Sequence, residues 1–296
     1  MSSAGTPTPG TTTSTGLATL DTGQTRALRL LDAVFLDWAH ACGAQELTPP
    51  PLLSVPDAER LDILVNFPHL ATPATEIVPQ CRSTVHDTGE AIPAGALAPA
   101  QWLLPSSVCF GVYLAHTGTE LAEDLTVTAF GRCFRNEHEY DGLRRLRSFQ
   151  MREIVAIGSP EHVRETLARH SAVTVELAAA LGIPVEREAA GDPFFDLSGP
   201  RALMQKLSPV KEEFVHDGLA LASVNLHRNF FGERCAIRLA ATGESAFTSC
   251  VGWGYERWLH ALGRRHRGDW QAVCDNLVAA HASLPALPAP GSAARV

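Results

Sequence analysis

The stretch from Phe130 to Glu153 constrains the fold of this chain more than any other. Apolar and charged residues alternate along its first part, and Phe149 and Met151 resume the alternation after a polar loop that contains Asp141-Gly142. Alternation with a period of two indicates β-strands, and an Asp-Gly pair favours a turn between them. The stretch therefore predicts two antiparallel strands joined by a long hairpin.

One face of this predicted hairpin carries an unusual set of charged and aromatic side chains. Arg135 and Glu137 have period-two spacing and point to the same side, and Arg145, Phe149 and Glu153 recur on the returning limb. A guanidinium holds a phosphate or carboxylate through paired hydrogen bonds, and an aromatic ring on the paired strand can stack on a base. The face is typical of a nucleotide site, but an amphipathic hairpin with solvated charges explains this segment alone equally well.

Two segments together resemble a known enzyme family. Arg135-Asn136-Glu137, the loop, and the spacing R-x-x-x-F-x-x-x-E that ends at Glu153 are similar to motif 2 of the class II aminoacyl-tRNA synthetases. Gly252 to Arg257, which leads into an apolar helix, resembles motif 3, a glycine-rich strand that enters a helix carrying an arginine. The resemblance implies an α+β fold, with the class II synthetase-like antiparallel sheet flanked by helices.

A long helix near the N-terminus resembles a third motif more loosely. Apolar residues recur at helical spacing from Thr25 to Cys42, and Gly43 is suited to end the helix in a left-handed conformation. The proline-containing strand that follows completes a pattern similar to motif 1, which forms the dimer interface of the family. The resemblance implies a homodimer, although an ordinary surface helix explains the pattern nearly as well.

Composition limits the compartment and the partners. The chain has 296 residues, of which 45% are apolar, which is ample for a substantial core. Its 24 basic and 32 acidic residues give a formal net charge of −8, which disfavours tRNA as a partner bound through bulk charge. Seven cysteines without a paired framework indicate a reducing compartment. No apolar run reaches membrane-spanning length and no signal-peptide pattern is present, so we expect a cytoplasmic protein without a membrane partner.

The expected organisation is one domain between two tails. Residues 1–20 are rich in Ser, Thr, Gly and Pro and residues 285–296 in Pro and Ala, so both are expected to be disordered tails. Residues 21–284 form the expected class II synthetase-like catalytic domain. Within it, the apolar patterns predict helices at 160–181 and 270–282.

Three residues match the metal ligands of a narrower group within the family. Archaeal-type seryl-tRNA synthetases and their shortened relatives, the amino acid:[carrier protein] ligases, hold zinc with a cysteine before motif 2, the glutamate closing motif 2 and a cysteine before motif 3. Cys109, Glu153 and Cys250 fill these positions. The resemblance implies one Zn²⁺ per subunit, with a fourth position open to the substrate amino group. Ordinary burial is the alternative for each thiol, and Cys133 is a further possible ligand.

The resemblance also implies an ATP-dependent ligase reaction. Arg135 would bridge the α-phosphate of ATP and the substrate carboxylate, Glu137 would bind the adenine amine, and Phe149 would stack on adenine. Arg145 and Arg257 would hold the β- and γ-phosphates together with Mg²⁺. Arg135 and Arg257 are the expected catalytic residues.

The amino-acid pocket is expected along residues 219–231, where alternation places Ser223, Asn225 and His227 on one face. Ser223 and Asn225 are the expected substrate-binding residues, and the family prefers a small substrate, glycine or alanine. The chain departs from the family pattern at two places. Trp253 is larger than expected within motif 3 and could narrow the pocket, and Glu212 or Glu213 would have to supply the magnesium carboxylate.

The acceptor of the activated amino acid is expected to be a carrier protein. A full seryl enzyme carries an additional N-terminal RNA-binding domain, whereas only residues 1–20 precede the first predicted helix. With the acidic net charge, this favours the phosphopantetheine thiol of a carrier protein as acceptor. Arg264, Arg265, Arg267 and the region Lys206 to Lys211 are docking candidates, although basic residues at helix ends need no partner.

Two other functions compete with this hypothesis. The first is a minimal seryl-type synthetase that charges tRNA. The second is a catalytically inactive paralogue that acts as a regulatory module. The complete set of phosphate-binding residue types argues against the second.

Overall fold

The computed structural model describes residues 15–284 except 84, 88, 90, 197 and 199–209. Its α-helices are, in chain order, α1 (Thr22–Ala41), α2 (Val55–Arg60), α3 (Ile63–Asn66), α4 (Cys109–Ala115), α5 (Pro160–Ala180), α6 (Phe230–Arg234), α7 (Tyr255–Arg265) and α8 (Trp270–Ser283). Its strands are β1 (Gln45–Leu47), β2 (Leu53–Ser54), β3 (Thr72–Ala74), β4 (Trp102–Leu104), β5 (Glu120–Leu121), β6 (Leu125–Phe134), β7 (Ser148–Gly158), β8 (Glu186–Ala190), β9 (Lys211–His216), β10 (Leu219–Arg228), β11 (Arg238–Leu239) and β12 (Phe247–Gly254). None of these helices is both long and apolar enough to cross a membrane.

A seven-stranded sheet in the order β1-β6-β7-β12-β10-β9-β8 forms the centre of the fold. Every neighbouring pair in it is antiparallel except β1 with β6. The predicted hairpin is β6 and β7, which pair from Leu125 opposite Ile157 to Phe134 opposite Ser148. The α+β class with an antiparallel sheet is therefore confirmed.

One face of the sheet is covered by α1, α5 and α7, and α8 packs on these three helices. Phe35 of α1 stacks on Trp253 of β12 with ring centroids 4.6 Å apart, and the indole Nε1 of Trp253 donates to Thr174 Oγ1 at 3.1 Å. Trp253 is fully buried in this helix-side core. The expectation that Trp253 narrows the substrate pocket is therefore wrong. Successive strand residues face opposite sides, and Gly252 and Gly254 face the clefts instead.

The C-terminal end of α1 agrees with the prediction, whereas its N-terminal end differs from it. Gly43 has φ +71° and follows the helix, as predicted. The helix begins at Thr22 rather than Thr25, because Asp21 and Gln24 form a capping box in which each side chain accepts from the other's backbone N–H. Cap chemistry, not apolar periodicity, sets this boundary.

The predicted tails lie largely outside the described residues, which exclude 1–14 and 285–296. In the described part of the first tail, the carbonyl oxygen of Gly16 accepts a hydrogen bond from the backbone N–H of Arg147 at 2.8 Å. This contact brings the segment before α1 onto the loop between β6 and β7.

Candidate active site

Two adjoining clefts open on the sheet face opposite α1. The arginine cleft, with about 660 Å³ of empty space, is lined by cationic, acidic and aromatic side chains that include Arg135, Glu137, Arg145, Phe149, Glu213 and Arg257. The thiol cleft, with about 790 Å³, is lined by residues that include Cys109, Glu153, Asn225, His227, Phe231 and Cys250. The two clefts share part of their lining, so ligands in them could touch.

The hairpin loop supplies the aromatic and cationic wall of the arginine cleft. Arg135 and Glu137 follow β6 rather than lie in it, and their positions are fixed by the pairing of Arg135 N–H with the carbonyl oxygen of Arg147 at 2.9 Å. The Arg135 guanidinium lies 5.0 Å from the ring centroid of Phe149 and donates from Nε to the Ser106 carbonyl oxygen. An aromatic face and a guanidinium are thus placed together at the mouth of the cleft.

Arg257 reaches the arginine cleft from α7 and is held there by two backbone carbonyl groups. Its Nε donates to the carbonyl oxygen of Arg144 at 2.9 Å and its Nη1 to that of Ala220 at 3.0 Å. Burial, followed by the positive charge of Arg135, lowers the pKa of Arg257, yet a guanidinium remains charged at any working pH. Two nearby guanidinium groups in one cleft suit a ligand with several negative charges.

The thiol cleft brings together the three metal-ligand candidates. In the sheet, Gly252 pairs with Glu153, and Cys250 lies two residues earlier on β12 and so on the same face. Cys109 reaches the same point from the start of α4. One ligand atom from each of Cys109, Glu153 and Cys250 lies within 4.8 Å of the others, and all three residues are buried. In the described part of the chain this is the one such group of His, Cys, Asp or Glu side chains.

The carboxylate of Glu153 is held in place by the segment before α4. Its Oε1 accepts from Ser107 Oγ at 2.7 Å and from the backbone N–H of Val108 at 2.8 Å. Ser107 Oγ also lies 3.3 Å from Cys109 Sγ. Such outer contacts orient metal ligands and fix their geometry.

Both thiols hold their protons when no metal is bound. The hydrogen bond with Cys109, then burial and the charge of Glu153, raise the pKa of Cys250 well above its ordinary value. The same hydrogen bond lowers the pKa of Cys109, but burial and Glu153 outweigh it and the net shift is upward. Two thiolates and one carboxylate are a donor set that suits zinc, and three protein ligands leave a fourth position for another donor.

Known proteins with similar sequences identify the family. No protein-family model matches the chain. The chain is 31% identical over 251 residues to amino acid–[acyl-carrier-protein] ligase 1 of Bradyrhizobium diazoefficiens, with 78% of this chain and 74% of that protein covered. Ligase 2 of the same organism is 31% identical over 241 residues, with 74% and 69% covered. The chain belongs to this family of ligases.

More distant relatives agree with this assignment. Type-2 serine–tRNA ligase of Methanocaldococcus jannaschii is 31% identical over 185 residues, which are 56% of this chain and 33% of that protein. Among solved structures, M. kandleri SerRS in complex with A. aeolicus tRNASec matches with a TM-score of 0.75 at 18% identity, covering 94% of this chain and 59% of that chain. Prolyl-tRNA synthetase from Cryptosporidium parvum matches with a TM-score of 0.64 at 13% identity, covering 87% and 49%. These likenesses confirm the class II synthetase fold.

In this member of the carrier-protein ligase family, Ser223 and Asn225 of β10 line the thiol cleft, as the alternation along residues 219–231 predicted. The side-chain amide of Asn225 donates to Cys250 Sγ at 3.6 Å. His227, on the same face, has Nε2 at 3.9 Å from Cys250 Sγ and Nδ1 at 3.2 Å from the hydroxyl of Tyr113. Burial lowers the pKa of His227 to about 4, so the ring is neutral at pH 7. The contact with Tyr113 depends on where α4 packs, which the sequence did not reveal.

Cys133 does not join the metal-ligand group. It is fully buried on β6, opposite Phe149, and burial raises the pKa of its thiol well above the ordinary value. We therefore assign it to the core of this face.

Glu256 is a residue of the arginine cleft that sequence reasoning missed. It lines the arginine cleft, is 4% exposed, and its carboxylate accepts from the backbone N–H of Gln150 at 2.9 Å. Burial raises the pKa of Glu256. Its position directly before Arg257 was the available signal, and its contact ties α7 to the start of β7.

The docking candidates separate into three groups. Arg264 and Arg265 are exposed at the end of α7, and Arg267 is exposed just beyond it. Lys206 lies outside the described residues. Lys211 is not a surface residue, because its side chain is 13% exposed and lines both clefts.

Proposed function

We propose that this chain activates a small amino acid with ATP and transfers it to the phosphopantetheine thiol of a carrier protein. The observation that carries the proposal is the convergence of Cys109, Glu153 and Cys250 in a cleft that adjoins the arginine cleft. Membership of the ligase family supports the same reaction class.

ATP would occupy the arginine cleft. Phe149 offers a face for adenine, and Glu137 lies where a carboxylate could accept from the adenine amine. Arg135 would contact the α-phosphate, while Arg145 and Arg257 would hold the β- and γ-phosphates. Guanidinium groups stabilise charge that spreads over phosphate oxygens during phosphoryl and nucleotidyl transfer.

Two metal ions belong to this proposal. Cys109, Glu153 and Cys250 would hold Zn²⁺, which when bound would supply a Lewis-acid site for the amino group of the substrate. Glu213 lines the arginine cleft and would supply a carboxylate for Mg²⁺ with ATP. Glu212 is the less suitable of the two predicted carboxylates, because it is not among the residues that line the two clefts and its side chain pairs with Arg187.

The chemistry proceeds in two transfers. A carboxylate oxygen of the amino acid forms a bond to the α-phosphorus, the bond to the bridging oxygen of pyrophosphate breaks, and pyrophosphate leaves with the electron pair. The pantetheine thiol then loses its proton to solvent and its sulfur forms a bond to the carbonyl carbon. The bond between that carbon and the phosphate oxygen breaks, and AMP leaves with the electron pair. The protein's task is to position the reactants and neutralise charge.

We also propose a cytoplasmic homodimer whose acceptor is not tRNA. The helix α1 and strand β1 occupy the segment similar to motif 1, and β1 forms an edge of the central sheet. The predicted proline-containing strand is wrong in its bounds, because β1 ends at Leu47 and Pro49 to Pro51 follow it outside any strand. The net charge of −8 supports a carrier rather than RNA as acceptor.

Exchange of labelled pyrophosphate into ATP tests the first transfer. With zinc-loaded protein, we expect exchange that depends on glycine or alanine. A mass increase on the holo carrier, and none on the apo carrier, tests the second. If no amino acid supports exchange, the chain is an inactive module. If the chain labels tRNA, it is a minimal synthetase.

A matched pair of arginine variants makes the exchange assay specific to the cleft. Arg257→Met should reduce exchange by about two orders of magnitude or more. Arg132→Met is the control, because Arg132 is exposed and its side chain contacts Ser148 outside the phosphate-binding set. Equal loss in both variants would remove the proposed role of Arg257.

A further inference from the structure

Lys211 is a largely buried cation to which the proposed reaction gives no task. Its side chain is 13% exposed at the start of β9. Its Nζ lies 3.2 Å from Glu213 Oε1 and 3.4 Å from Asp192 Oδ1. Burying an ammonium group is costly unless it is paired, and these two carboxylates satisfy that requirement in the absence of substrates.

The two carboxylates belong to different clefts. Glu213 lines the arginine cleft, and Asp192 lines the thiol cleft. Among the described residues that line both clefts, Arg135 and Lys211 are the positively charged ones. Lys211 therefore lies at the boundary where a nucleotide and a metal-held substrate would meet.

The register of the sheet places Lys211 in line with the metal-ligand group. Lys211 pairs with Asn225 of β10, and Asn225 pairs with Cys250 of β12. Neighbouring strands are about 4.8 Å apart, so the Lys211 and Cys250 backbones are separated by about 10 Å. A lysine side chain and a small substrate together fill such a gap.

The shape of an amino acid completes the inference. Its amino and carboxylate groups are attached to one carbon atom, so an amino group held beside Cys250 and Glu153 keeps the carboxylate close by. That carboxylate must face the arginine cleft to reach the α-phosphorus. Lys211 reaches this boundary from the β9 side of the sheet, and Arg135 reaches it from the hairpin loop.

We propose that Lys211 binds the carboxylate of the substrate amino acid. This inference rests on the proposed function and adds a second cation to Arg135. The ammonium group leaves Glu213, keeps its contact with Asp192, and donates to the substrate oxygen that does not attack phosphorus. Glu213 then becomes available to Mg²⁺ in the arginine cleft, so binding of the amino acid and of the metal–nucleotide complex support each other.

Ligand truncation distinguishes this role from a structural one. We would measure binding of glycine and of 2-aminoethanol, which lacks the carboxylate, to zinc-loaded protein by calorimetry without ATP. The natural chain should bind glycine about tenfold or more tighter than 2-aminoethanol, because charged hydrogen bonds are worth roughly 1.5–3 kcal/mol. Lys211→Met should lose most of this preference while binding 2-aminoethanol as the natural chain does. The same pair of measurements with alanine and 2-aminopropan-1-ol covers the other expected substrate.

Kinetics give a second readout. In pyrophosphate exchange, Lys211→Met should raise the KM for the amino acid by about tenfold or more and leave the KM for ATP within about twofold. Lys211→Arg should recover part of the loss, and Lys211→Gln replaces Lys211→Met if the latter does not fold. The matched control is Arg187→Met, because Arg187 lies on the neighbouring strand β8, is 51% exposed and pairs with Glu212.

The outcomes separate two failures. If the natural chain prefers glycine and Lys211→Met keeps that preference, the role of Lys211 is overturned and the proposed function stands. An equal rise in the KM of ATP and amino acid would also overturn it. If the natural chain binds neither amino acid and exchanges no pyrophosphate, the proposed function fails and this inference fails with it.

Discussion

The carboxylate of Asp32 on α1 accepts two hydrogen bonds from the guanidinium of Arg152 on β7, at 2.6 and 3.1 Å. The hydroxyl of Tyr255 on α7 donates to the same carboxylate. Arg152 directly precedes Glu153, and strand alternation sends the two side chains to opposite faces of the sheet. On the sheet face opposite the clefts, these hydrogen bonds therefore connect β7, which carries Glu153, to α1 and α7. These two helices belong to the segments similar to motifs 1 and 3.

Removing the charge of Asp32 should destabilise the fold strongly. The Arg152 side chain is 3% exposed, so Asp32→Asn leaves a buried guanidinium without its main counter-charge. We expect the free energy of unfolding to fall by about 3 kcal/mol, measured by urea denaturation. Glu46→Gln removes a second, 49% exposed partner of Arg152 and should cost less than about 1 kcal/mol. Similar losses in both variants would show that the Asp32 pair is not the main restraint.

Zinc content should depend on the cysteines of the thiol cleft and not on Cys133. Cys250→Ala removes one of the three proposed ligands, and metal analysis after dialysis should find little zinc in this variant and about one ion per chain in the natural protein. Cys133→Ala changes a thiol of equal burial outside the ligand group and should leave zinc content unchanged. Full zinc occupancy in Cys250→Ala, or loss in Cys133→Ala, would contradict the assignment.

Zinc affinity should fall steeply as the pH falls. The pKa values of Cys109 and Cys250 are raised in the metal-free protein, so both thiols are protonated at neutral pH and ionise when zinc binds. Release of two protons makes the apparent association constant rise up to about 100-fold per pH unit below those pKa values. Chelator competition at pH 6, 7 and 8 measures this slope, and a flat profile would mean that the thiols are not ligands.

A methyl group at Gly252 should disturb Glu153. A Cβ there would lie 3.0 Å from Met151 Cε and 3.3 Å from Glu153 Cγ, so these two side chains must move apart from it slightly, and the Glu153 side chain carries the carboxylate. We expect Gly252→Ala to weaken zinc binding by about 1 kcal/mol or more, read by chelator competition. Gly254→Ala is the matched control, since a Cβ there meets nothing within 4 Å. Unchanged zinc affinity in Gly252→Ala would show that Glu153 adapts without cost.

His170 should make stability depend on pH. Burial lowers the pKa of this imidazole from 6.5 to about 4, so between these values the unfolded chain binds more protons than the folded one. Stability is full above the unfolded pKa and is lost as the pH falls towards the folded pKa. From pH 7 to pH 5 this contribution falls by about 2 kcal/mol. His170→Gln should lose less stability than the natural chain over that interval, whereas the exposed His138→Gln should follow the natural chain.

The parts of the site that the sequence predicted are those set by short-range patterns. Alternation around Phe149 and Glu153 predicted the hairpin, and alternation after Leu219 placed Ser223 and Asn225 on one face. The convergence of Cys109, Glu153 and Cys250 followed from resemblance to the family and not from spacing, because residues this far apart in the chain meet only through the sheet order.

The parts that were missed depend on strand pairing and on contacts between segments. Lys211 lines the clefts because β9 pairs with β10 at Asn225. The Asp217-Gly218 pair between these strands was the local signal for this hairpin, but the register shift between Ala220 and Ala222, which brings Lys211 opposite Asn225, has no such signal. Trp253 was placed on the wrong face, although the same alternation that puts Gly252 in the cleft also puts its neighbour among the helices. Glu256, on α7, was missed because its acceptor role requires the backbone of Gln150, which lies on β7.

The metal-ligand candidates come from α4, β7 and β12, three segments separated by long stretches of chain. One bound ion would close both intervening loops at once, and closing long loops restricts the unfolded chain more than the folded one. Without the ion the chain would then be less stable as well as inactive. It would also be degraded faster, because proteases cleave chains that unfold.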